Sequence, residues 1–191
     1  MNFIQQSITD ILVVEPEIYF DARGWFVEMF RQDVFEKALG YSVNFVQDNE
    51  SKSSRGVLRG LHFQTGACTQ SKLIRVVTGC VLDVAVDIRV GSSTFGQHVS
   101  VELTGENKRQ MFIPRGFAHG FIVLSDNATL AYKVDNYYSP QSERGLAFDD
   151  EKLNIDWVLD KELIQVSEKD SKQPSFVKMP EYFNIAQTLY G

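Results

Sequence analysis

The stretch Arg55-Gly-Val-Leu-Arg-Gly-Leu-His-Phe-Gln64 sets polar side chains, including Arg59 and His62, inside an apolar run typical of a strand. Two later stretches also place polar side chains within an apolar run. Phe112-Ile-Pro-Arg-Gly-Phe-Ala-His-Gly-Phe121 contains a second histidine, and Ala131-Tyr-Lys-Val-Asp-Asn-Tyr-Tyr138 contains three tyrosines. Inward-facing positions of a small barrel alternate with outward-facing ones. Polar groups that recur among β-branched and aromatic neighbours therefore indicate a sheet closed around a polar pocket.

The region between Ser42 and Tyr138 reads as a succession of short strands with no helical pattern between them. Gly, Ser, Asn or Asp separates the β-rich runs, which cover residues 43–49, 57–64, 72–77, 80–88, 97–103, 109–113, 119–124 and 129–138. Short strands without helical crossovers are typical of an antiparallel jelly roll or barrel. The predicted fold class is therefore all-β.

The flanking segments differ from this region. Before it, the pattern predicts strands over 11–16 and 25–30, and a helix over 32–39 that ends at Gly40, a common helix C-cap. After Pro140 it predicts a helical turn over 151–155, a strand over 163–166, a capped turn over 167–170 and a tail whose aromatic residues pack on the barrel. The length fits one domain over 1–191, with an N-terminal arm of about 1–41, a jelly roll of about 42–140 and a C-terminal appendage of about 141–191.

The composition excludes several classes of protein. The net charge is −6 and no basic stripe appears, which argues against non-specific binding to nucleic acid. No run approaches the roughly 18 apolar residues of a membrane span, and the N-terminus lacks the pattern of a signal peptide. Cys68 and Cys80 lie twelve residues apart, as expected of reduced thiols. We therefore expect a cytoplasmic protein without a membrane partner.

His62 is the leading candidate for proton transfer, because an imidazole ordinarily titrates near neutrality. A hydrogen-bonded core histidine is an equally good interpretation of the spacing alone. Strict alternation would place Arg59 and His62 on opposite faces of their strand. Gly60, between them, is a position where a bulge could redirect one of the two side chains.

Three further residues have two interpretations each. Lys72 is either a cation that stabilises an oxyanion or a surface charge. Arg75, which the alternation places on the opposite face of the strand, is better explained as a surface charge. Tyr132 is either a general acid or a sheet aromatic. Asp170 either orients a histidine across the pocket or caps a turn.

A metal centre is not expected. Pro114-Arg-Gly-Phe-Ala-His119 matches the second half of the metal-binding cupin pattern, but the first half reads His62-Phe63-Gln64 where a second histidine is required. Two candidate imidazoles without a paired carboxylate make a poor cage for a transition metal. We expect no metal and no cofactor.

Several ordered motifs are similar to those of one known family. They are Phe45-Val-Gln-Asp-Asn49, Val57-Leu-Arg-Gly-Leu-His-Phe-Gln64, Asp83-Val-Ala-Val-Asp-Ile-Arg89, Ser93-Thr-Phe-Gly96, Glu106-Asn-Lys-Arg-Gln110, Ile113-Pro-Arg-Gly-Phe-Ala-His-Gly-Phe121 and Tyr137-Tyr-Ser-Pro140. Together they resemble the dTDP-4-dehydrorhamnose 3,5-epimerases over nearly the whole chain. The resemblance implies a metal-free cupin, that is, a double-stranded β-helix jelly roll with short peripheral helices and a C-terminal appendage. It also implies a homodimer with composite active sites.

The resemblance implies a role for each matching position. His62 would be the proton acceptor, Asp170 the carboxylate that orients it, Tyr132 the proton donor on the opposite face, and Lys72 a cation near the ketone oxygen. His119 and Arg59 would line the sugar and phosphate region, and Tyr138 would stack on thymine. The residues implied in nucleotide binding, some from the neighbouring subunit, are Arg23, Glu28, Gln47, Asp48, Asn49, Glu143 and Lys169.

The implied reaction inverts carbons 3 and 5 of dTDP-4-dehydro-6-deoxy-D-glucose through enolates, on the route to dTDP-L-rhamnose and its polysaccharides. Two other classes stay open. One is a related sugar-nucleotide 3-epimerase or ketoisomerase, and the other is a cupin that binds a sugar nucleotide without catalysis. The presence of both His62 and Tyr132 favours double epimerisation, because a binding protein needs neither an acid nor a base.

Overall fold

The computed structural model describes residues 1–190, which form two antiparallel sheets that enclose a shared interior. Within these 190 residues the single α-helix is α1 (Gln32–Leu39), and Gly40 caps its C-terminus in the left-handed conformation at φ 79°. The strands are β1 (Asn2–Gln5), β2 (Leu12–Glu15), β3 (Ile18–Asp21), β4 (Gly24–Val27), β5 (Gln47–Ser54), β6 (Leu58–Gln64), β7 (Lys72–Thr78), β8 (Cys80–Asp87), β9 (Arg89–Val90), β10 (His98–Thr104), β11 (Gln110–Ile113), β12 (Phe117–Val123), β13 (Asn127–Val134), β14 (Glu143–Gly145) and β15 (Phe183–Asn184). Single 3-10 turns lie at Gly66–Cys68, Lys161–Leu163, Asp170–Lys172 and Phe176–Lys178.

One sheet has six strands in the order β1-β2-β11-β7-β13-β5, and the other has five in the order β10-β8-β12-β6-β14. Every neighbouring pair in both sheets is antiparallel. β3 and β4 form a separate hairpin, and β15 pairs with β9 in parallel. The all-β jelly roll predicted from the strand pattern is confirmed.

Three apolar layers hold the sheets in place. The inner layer joins residues of β7, β11 and β13 to residues of β8, β10 and β12, with Met111 and Leu103 completely buried. The outer face of the five-stranded sheet is covered by the C-terminal segment through Trp157, Phe176 and Phe183. The outer face of the six-stranded sheet is covered by α1 and its neighbours. The central strands are therefore buried on both faces, which explains their nearly continuous apolar sequences.

The tail aromatics pack on the jelly roll as predicted: Phe176 and Phe183 are buried against the five-stranded sheet, and Tyr182 lies against Phe63. The helix over 32–39 is also confirmed. No helix among residues 1–190 is long and apolar enough to cross a membrane.

Several predicted boundaries are wrong. The run 43–49 is a strand only from Gln47, because Val43 and Phe45 belong to a loop that packs around Phe35. The strand predicted over 129–138 is β13 and ends at Val134. The strand predicted over 163–166 is a 3-10 turn followed by one isolated bridge between Val57 and Gln165. β1 and β3 were not predicted. Hydrophobic alternation does not predict such segments correctly, because some loops are apolar and some edge strands are polar.

Candidate active site

A cavity of about 770 Å³ lies between the two sheets, at the end where the interior is polar. Its size is within the range of small-molecule sites in proteins. The six-stranded sheet contributes Gln47, Asn49, Lys72 and Tyr132, and the five-stranded sheet contributes Arg59, His62, His119 and Glu143. The segment that contains Lys169 and Asp170 closes one side. The inward positions at the other end of the jelly roll are apolar, so the polar groups are concentrated in one half.

A bulge at Gly60 turns Arg59 and His62 toward the same cavity. His62 lies opposite His119 on β12, whereas Arg59 lies opposite Phe121, so three steps along β6 match two along β12. Gly60 has a φ of +143°, and a Cβ there would lie 2.5 Å from the Gly120 Cα. Only glycine fits this close approach of two backbones. The alternation that separated Arg59 from His62 is therefore broken by one extra residue, as Gly60 suggested.

The Nε2 atom of His62 lies 2.6 Å from Oδ1 of Asp170. Asp170 begins a 3-10 turn, and its backbone N–H donates to the Ser167 Oγ at 3.0 Å. Burial by itself raises the pKa of the Asp170 carboxyl, but the hydrogen bond and charge of His62, together with hydrogen bonds from Ser167 and the Gly60 backbone, outweigh it and the net pKa is lowered. The carboxylate therefore stays ionised and holds the imidazole by one nitrogen, which leaves Nδ1 free on the cavity side.

Tyr132 reaches the cavity from β13, in the sheet opposite His62. Burial raises the pKa of the Tyr132 phenol above its ordinary value, although the Arg59 guanidinium opposes this shift. A phenol in this state remains protonated at neutral pH and is suited to deliver a proton rather than to remove one.

Lys72 is the first residue of β7 and also lines the cavity, whereas Arg75 is not among the lining residues. Burial lowers the pKa of the Lys72 ammonium to about 8, and the carboxylates of Asp83 and Glu143 oppose this shift. At pH 7 the group is still mainly charged. It therefore offers a positive charge inside the cavity to an oxygen that becomes negative during a reaction.

His119 is buried, and its Nε2 lies 3.0 Å and 3.1 Å from the two carboxylate oxygens of Asp83. The sequence prediction named His119 but not Asp83, which is completely buried on the inner face of β8. A carboxylate in the middle of Val81-Leu-Asp-Val-Ala-Val86 was the signal that could have identified it, because an aspartate is almost never buried without a partner. Burial lowers the pKa of His119, against the opposing effect of Asp83.

A second polar group lies at the mouth of the cavity. Tyr138 donates from its hydroxyl to Oε2 of Glu143 at 2.8 Å, and the ammonium of Lys169 pairs with the same oxygen. Burial raises the pKa of Glu143, but these two partners outweigh it and the net pKa is lowered. Gln47 links to this group by accepting a hydrogen bond from the Tyr138 N–H at 3.2 Å, and it donates to Asn49 at 2.8 Å.

Three predicted binding residues do not lie in the cavity of their own chain. Arg23 is on the tip of the β3–β4 hairpin, where it pairs with Asp21 at 2.6 Å, and Glu28 is exposed just beyond it. Asp48 points away from the cavity and pairs with Lys133 at 3.0 Å. The lining side chains that the sequence prediction did not assign to the site include Ser51, Gln64, Gln70, Phe121, Gln165 and Ser167.

The residues of the cavity engage one another in pairs rather than converging on one point. Each histidine holds one carboxylate, and the third carboxylate is held by Tyr138 and Lys169. Among residues 1–190, no group of three or more His, Cys, Asp or Glu side chains is arranged to hold a metal ion. The arrangement suits proton transfer between facing groups.

Comparison with known proteins gives the same family by three routes. Residues 5–178 match the family model described as dTDP-4-dehydrorhamnose 3,5-epimerase. The chain is 52% identical over 183 residues to the protein of that name from Shigella flexneri, covering 96% of this chain and 99% of the relative. It is 53% identical over 172 residues to that of Escherichia coli K12, covering 90% and 92%. The dTDP-6-deoxy-D-glucose-3,5-epimerase of Legionella pneumophila, solved with dTDP-4-keto-L-rhamnose, superposes with a TM-score of 0.93 at 49% identity over 98% of this chain and 99% of that one.

Proposed function

The chain belongs to the dTDP-4-dehydrorhamnose 3,5-epimerase family of isomerases, and from this premise we propose that it inverts carbons 3 and 5 of dTDP-4-dehydro-6-deoxy-D-glucose. The product is dTDP-4-dehydro-L-rhamnose, a precursor of dTDP-L-rhamnose. The observation that carries the proposal is the placement of His62, held by Asp170, and of Tyr132 on facing sheets of one cavity.

The chemistry follows from the ketone at carbon 4, which acidifies the hydrogens on both neighbouring carbons. His62 removes one of these hydrogens with its free Nδ1, and the imidazolium that forms is stabilised by Asp170. The electrons move to the ketone oxygen, where the Lys72 ammonium stabilises the enolate. Tyr132 delivers a proton from the other side, and the carbon is inverted. Each positioned acid or base contributes about 10²–10⁴-fold to the rate.

The remaining polar groups suit the nucleotide. Arg59 and Lys169 are cations that offset the charge of a diphosphate in a protein whose net charge is −6. The exposed ring of Tyr138 offers a stacking surface for thymine at the mouth of the cavity. Gln47, Asn49 and Glu143 lie beside it and provide hydrogen-bonding groups for the nucleoside.

We further propose a homodimer in which the β3–β4 hairpin completes the partner's cavity. Phe20, Trp25 and Phe26 are between 56% and 76% exposed on this short hairpin, an unusual amount of apolar surface for an element of ten residues, 18–27. Arg23 and Glu28 lie on or beside the hairpin and outside the cavity of their own chain. Insertion of the hairpin into a second copy would bury the aromatic rings and bring Arg23 to the nucleotide.

Solvent exchange in heavy water tests the division of labour between base and acid. With His62→Ala, neither carbon 3 nor carbon 5 of the substrate should take up deuterium above background, because no enolate forms. With Tyr132→Phe, exchange should continue while inverted product falls sharply, because His62 can return deuterium to the original face. Mass spectrometry counts the deuterium, and a coupled reductase reports the inverted sugar.

The same experiment separates the other candidate functions. Exchange confined to carbon 3 would indicate a 3-epimerase, and product with the ketone at carbon 3 would indicate a ketoisomerase. A wild-type protein that binds dTDP without any exchange would be a binding protein. Inversion of both centres by Tyr132→Phe at nearly the normal rate would return Tyr132 to the role of a sheet aromatic.

Complementation between inactive variants tests the composite site. Asp170→Asn and Arg23→Ala damage different parts of the cavity, so if Arg23 serves the partner, a mixed dimer holds one intact site. Unfolding and refolding the two variants together should then restore part of the turnover. Asp170→Asn refolded with His62→Ala is the control, because these changes affect one site from one chain. A monomeric mass by light scattering, with full activity, would contradict the proposal.

A further inference from the structure

The cavity contains a second histidine–carboxylate pair that the proposed acid–base chemistry does not use. Nε2 of His119 is held by both oxygens of Asp83, and both side chains are at least nine-tenths buried. Nδ1 of His119 has no hydrogen-bond partner among residues 1–190, although the ring lines the cavity. A polar atom of a largely buried side chain that is open to a cavity and has no partner in the protein indicates a group supplied by the ligand.

The partner of Nε2 decides what Nδ1 can do. A carboxylate accepts hydrogen bonds only, so the proton of a neutral imidazole must be on Nε2 to make this contact. Nδ1 then carries a lone pair and accepts. An acceptor cannot hold a ketone or enolate oxygen, which itself needs a donor. The matching group on a sugar is a hydroxyl.

The charge state of His119 depends on every group that faces it. Burial favours the neutral ring, Lys72 on β7 and His62 on β6 favour it as well, and Asp83 on β8 favours the imidazolium. The other charged or titratable groups around the cavity are Arg59, Tyr132, Tyr138, Glu143, Lys169 and Asp170. The net effect lowers the pKa of His119, so the ring is neutral at pH 7 and above.

We propose that Asp83 is a positioning residue that fixes the Nε2–H tautomer of His119, and that Nδ1 of His119 accepts a hydrogen bond from a sugar hydroxyl next to the reacting carbon. The inference rests on the proposed sugar-nucleotide substrate. His119 and His62 are directly opposed on neighbouring strands. Side chains in such pairs start about 5 Å apart at Cβ, a distance comparable with the width of a pyranose ring. With carbon 3 at His62, the hydroxyls on carbons 2 and 3 are the candidates to reach His119.

Nuclear magnetic resonance tests the tautomer without any need for turnover. The chain has three histidines, so ¹⁵N labelling of histidine gives three ring patterns, and His98→Gln identifies one of them. We expect His119 in the wild-type protein to carry its proton on Nε2 alone between pH 7 and 8. Asp83→Leu should increase the Nδ1–H tautomer, and so should Asp83→Asn, whose amide can donate as well as accept.

Asp87→Asn is the matched control for these variants. Asp87 is also completely buried on β8, but it pairs with Arg89 outside the cavity. This change should alter stability and leave the tautomer of His119 as it is. An imidazolium or an Nδ1–H tautomer in the wild-type protein would overturn the proposal, and so would a tautomer that does not respond to either Asp83 variant.

Substrate analogues test the hydroxyl. The 2-deoxy and 3-deoxy forms of the substrate each lack one candidate donor, and turnover is followed by inversion at carbon 5 because the 3-deoxy form has no stereocentre at carbon 3. One of them should lose about tenfold in kcat/KM with the wild-type enzyme, mainly through KM, because the contact is already made when substrate binds. His119→Leu has no acceptor, so this variant should turn over the same analogue with nearly the kcat/KM that it has for the parent substrate. His119→Asn places an amide oxygen near the Nδ1 position and should recover part of the difference.

The two experiments distinguish failure of this inference from failure of the proposed function. If the protein does not epimerise the substrate, the same analogues still report through their dissociation constants, and the tautomer measurement is unaffected. Equal losses for both analogues in the wild-type protein and in His119→Leu would show that His119 does not contact a sugar hydroxyl. That result, with normal epimerisation of the parent substrate, would overturn this inference and leave the proposed function intact.

Discussion

The two histidine–carboxylate pairs of the cavity use the same contact in different surroundings. In both, Nε2 of the imidazole meets an aspartate, and in both Nδ1 is left without a partner among residues 1–190. The His62 side chain keeps 25% of its surface exposed, whereas that of His119 keeps 8%. His62 and Asp170 lie 108 positions apart in the chain, and Asp83 and His119 lie on adjacent strands of one sheet.

This difference shows how the same imidazole–carboxylate contact can suit a base at one position and a substrate-recognition group at another. A base must gain and lose a proton in every cycle, so its imidazolium needs solvent access and a partner that stabilises charge. A group that only recognises the substrate needs one fixed protonation state. Burial at His119 supplies that by keeping the ring neutral, whereas the more exposed side chain of His62, beside the Asp170–Lys172 turn, suits the proposed base.

The matched substitutions Asp170→Asn and Asp83→Asn test the comparison most strongly. Asp170→Asn should lower kcat by about 10²–10⁴-fold with little effect on dTDP binding, because it removes the charge that stabilises the His62 imidazolium. Asp83→Asn should change kcat/KM by about tenfold at most. Steady-state kinetics and dTDP titration measure both. Equal losses of kcat in the two variants would mean that the two pairs share one function.

Gly60→Ala tests whether the bulge creates the alignment of the two histidines. An added Cβ would lie 2.5 Å from Gly120 Cα in a backbone conformation that suits glycine, so we expect the free energy of unfolding to fall by about 1–3 kcal/mol or more. Turnover of the remaining folded protein should fall too, since His62 is displaced. Urea unfolding and kinetics are the measurements.

Gly66→Ala is the control for this change. Gly66 also has a positive φ, of +62°, but a Cβ there would meet nothing within 4 Å. It should therefore cost only the conformational penalty of about 1 kcal/mol. If both alanine variants lose the same stability, the close approach of Gly60 to Gly120 contributes nothing.

The effect that is smallest at neutral pH is a pH dependence set by Lys72, which faces both pairs from the opposite sheet and loses its charge only on the alkaline side. Its pKa is lowered to about 8, so the ammonium is present below pH 8 and is lost as the pH rises through that value. In the free enzyme, kcat/KM should therefore fall about fivefold between pH 8 and 9 and about tenfold more by pH 10 if the charge is required. Bound dTDP-sugar should shift this alkaline limb to higher pH, because the negative phosphates favour the Lys72 ammonium and raise its pKa.

Lys72→Arg sharpens this measurement, because a guanidinium stays protonated throughout the accessible range. The variant should have a lower rate at pH 7 but no alkaline limb near pH 8. A limb that persists unchanged in Lys72→Arg would assign it to another group, such as the Tyr132 phenol.

Much of the architecture could be predicted from local patterns in the sequence. The succession of short strands between Ser42 and Tyr138 gave the all-β class, and the helical spacing before Gly40 gave α1. The run 43–49 was misassigned because Val43 and Phe45 are apolar loop residues, while the true strand from Gln47 to Ser54 is polar on both faces. One face of that edge strand lines the polar cavity and the other meets solvent, so it carries no hydrophobic alternation.

The sequence by itself determined the reaction class, since the ordered motifs, two of which carry His62 and His119, belong to one family. Only the tertiary structure decided which groups act on one another. The bulge at Gly60 is defined by the register against β12, and Asp170 meets His62 across 108 residues through the packing of the C-terminal segment. Periodicity reports which face a side chain takes within its own strand. Partners, burial and the pKa values that follow from them are set by strands far away in the chain, which is why the pairing of Asp83 with His119 appeared only in the folded protein.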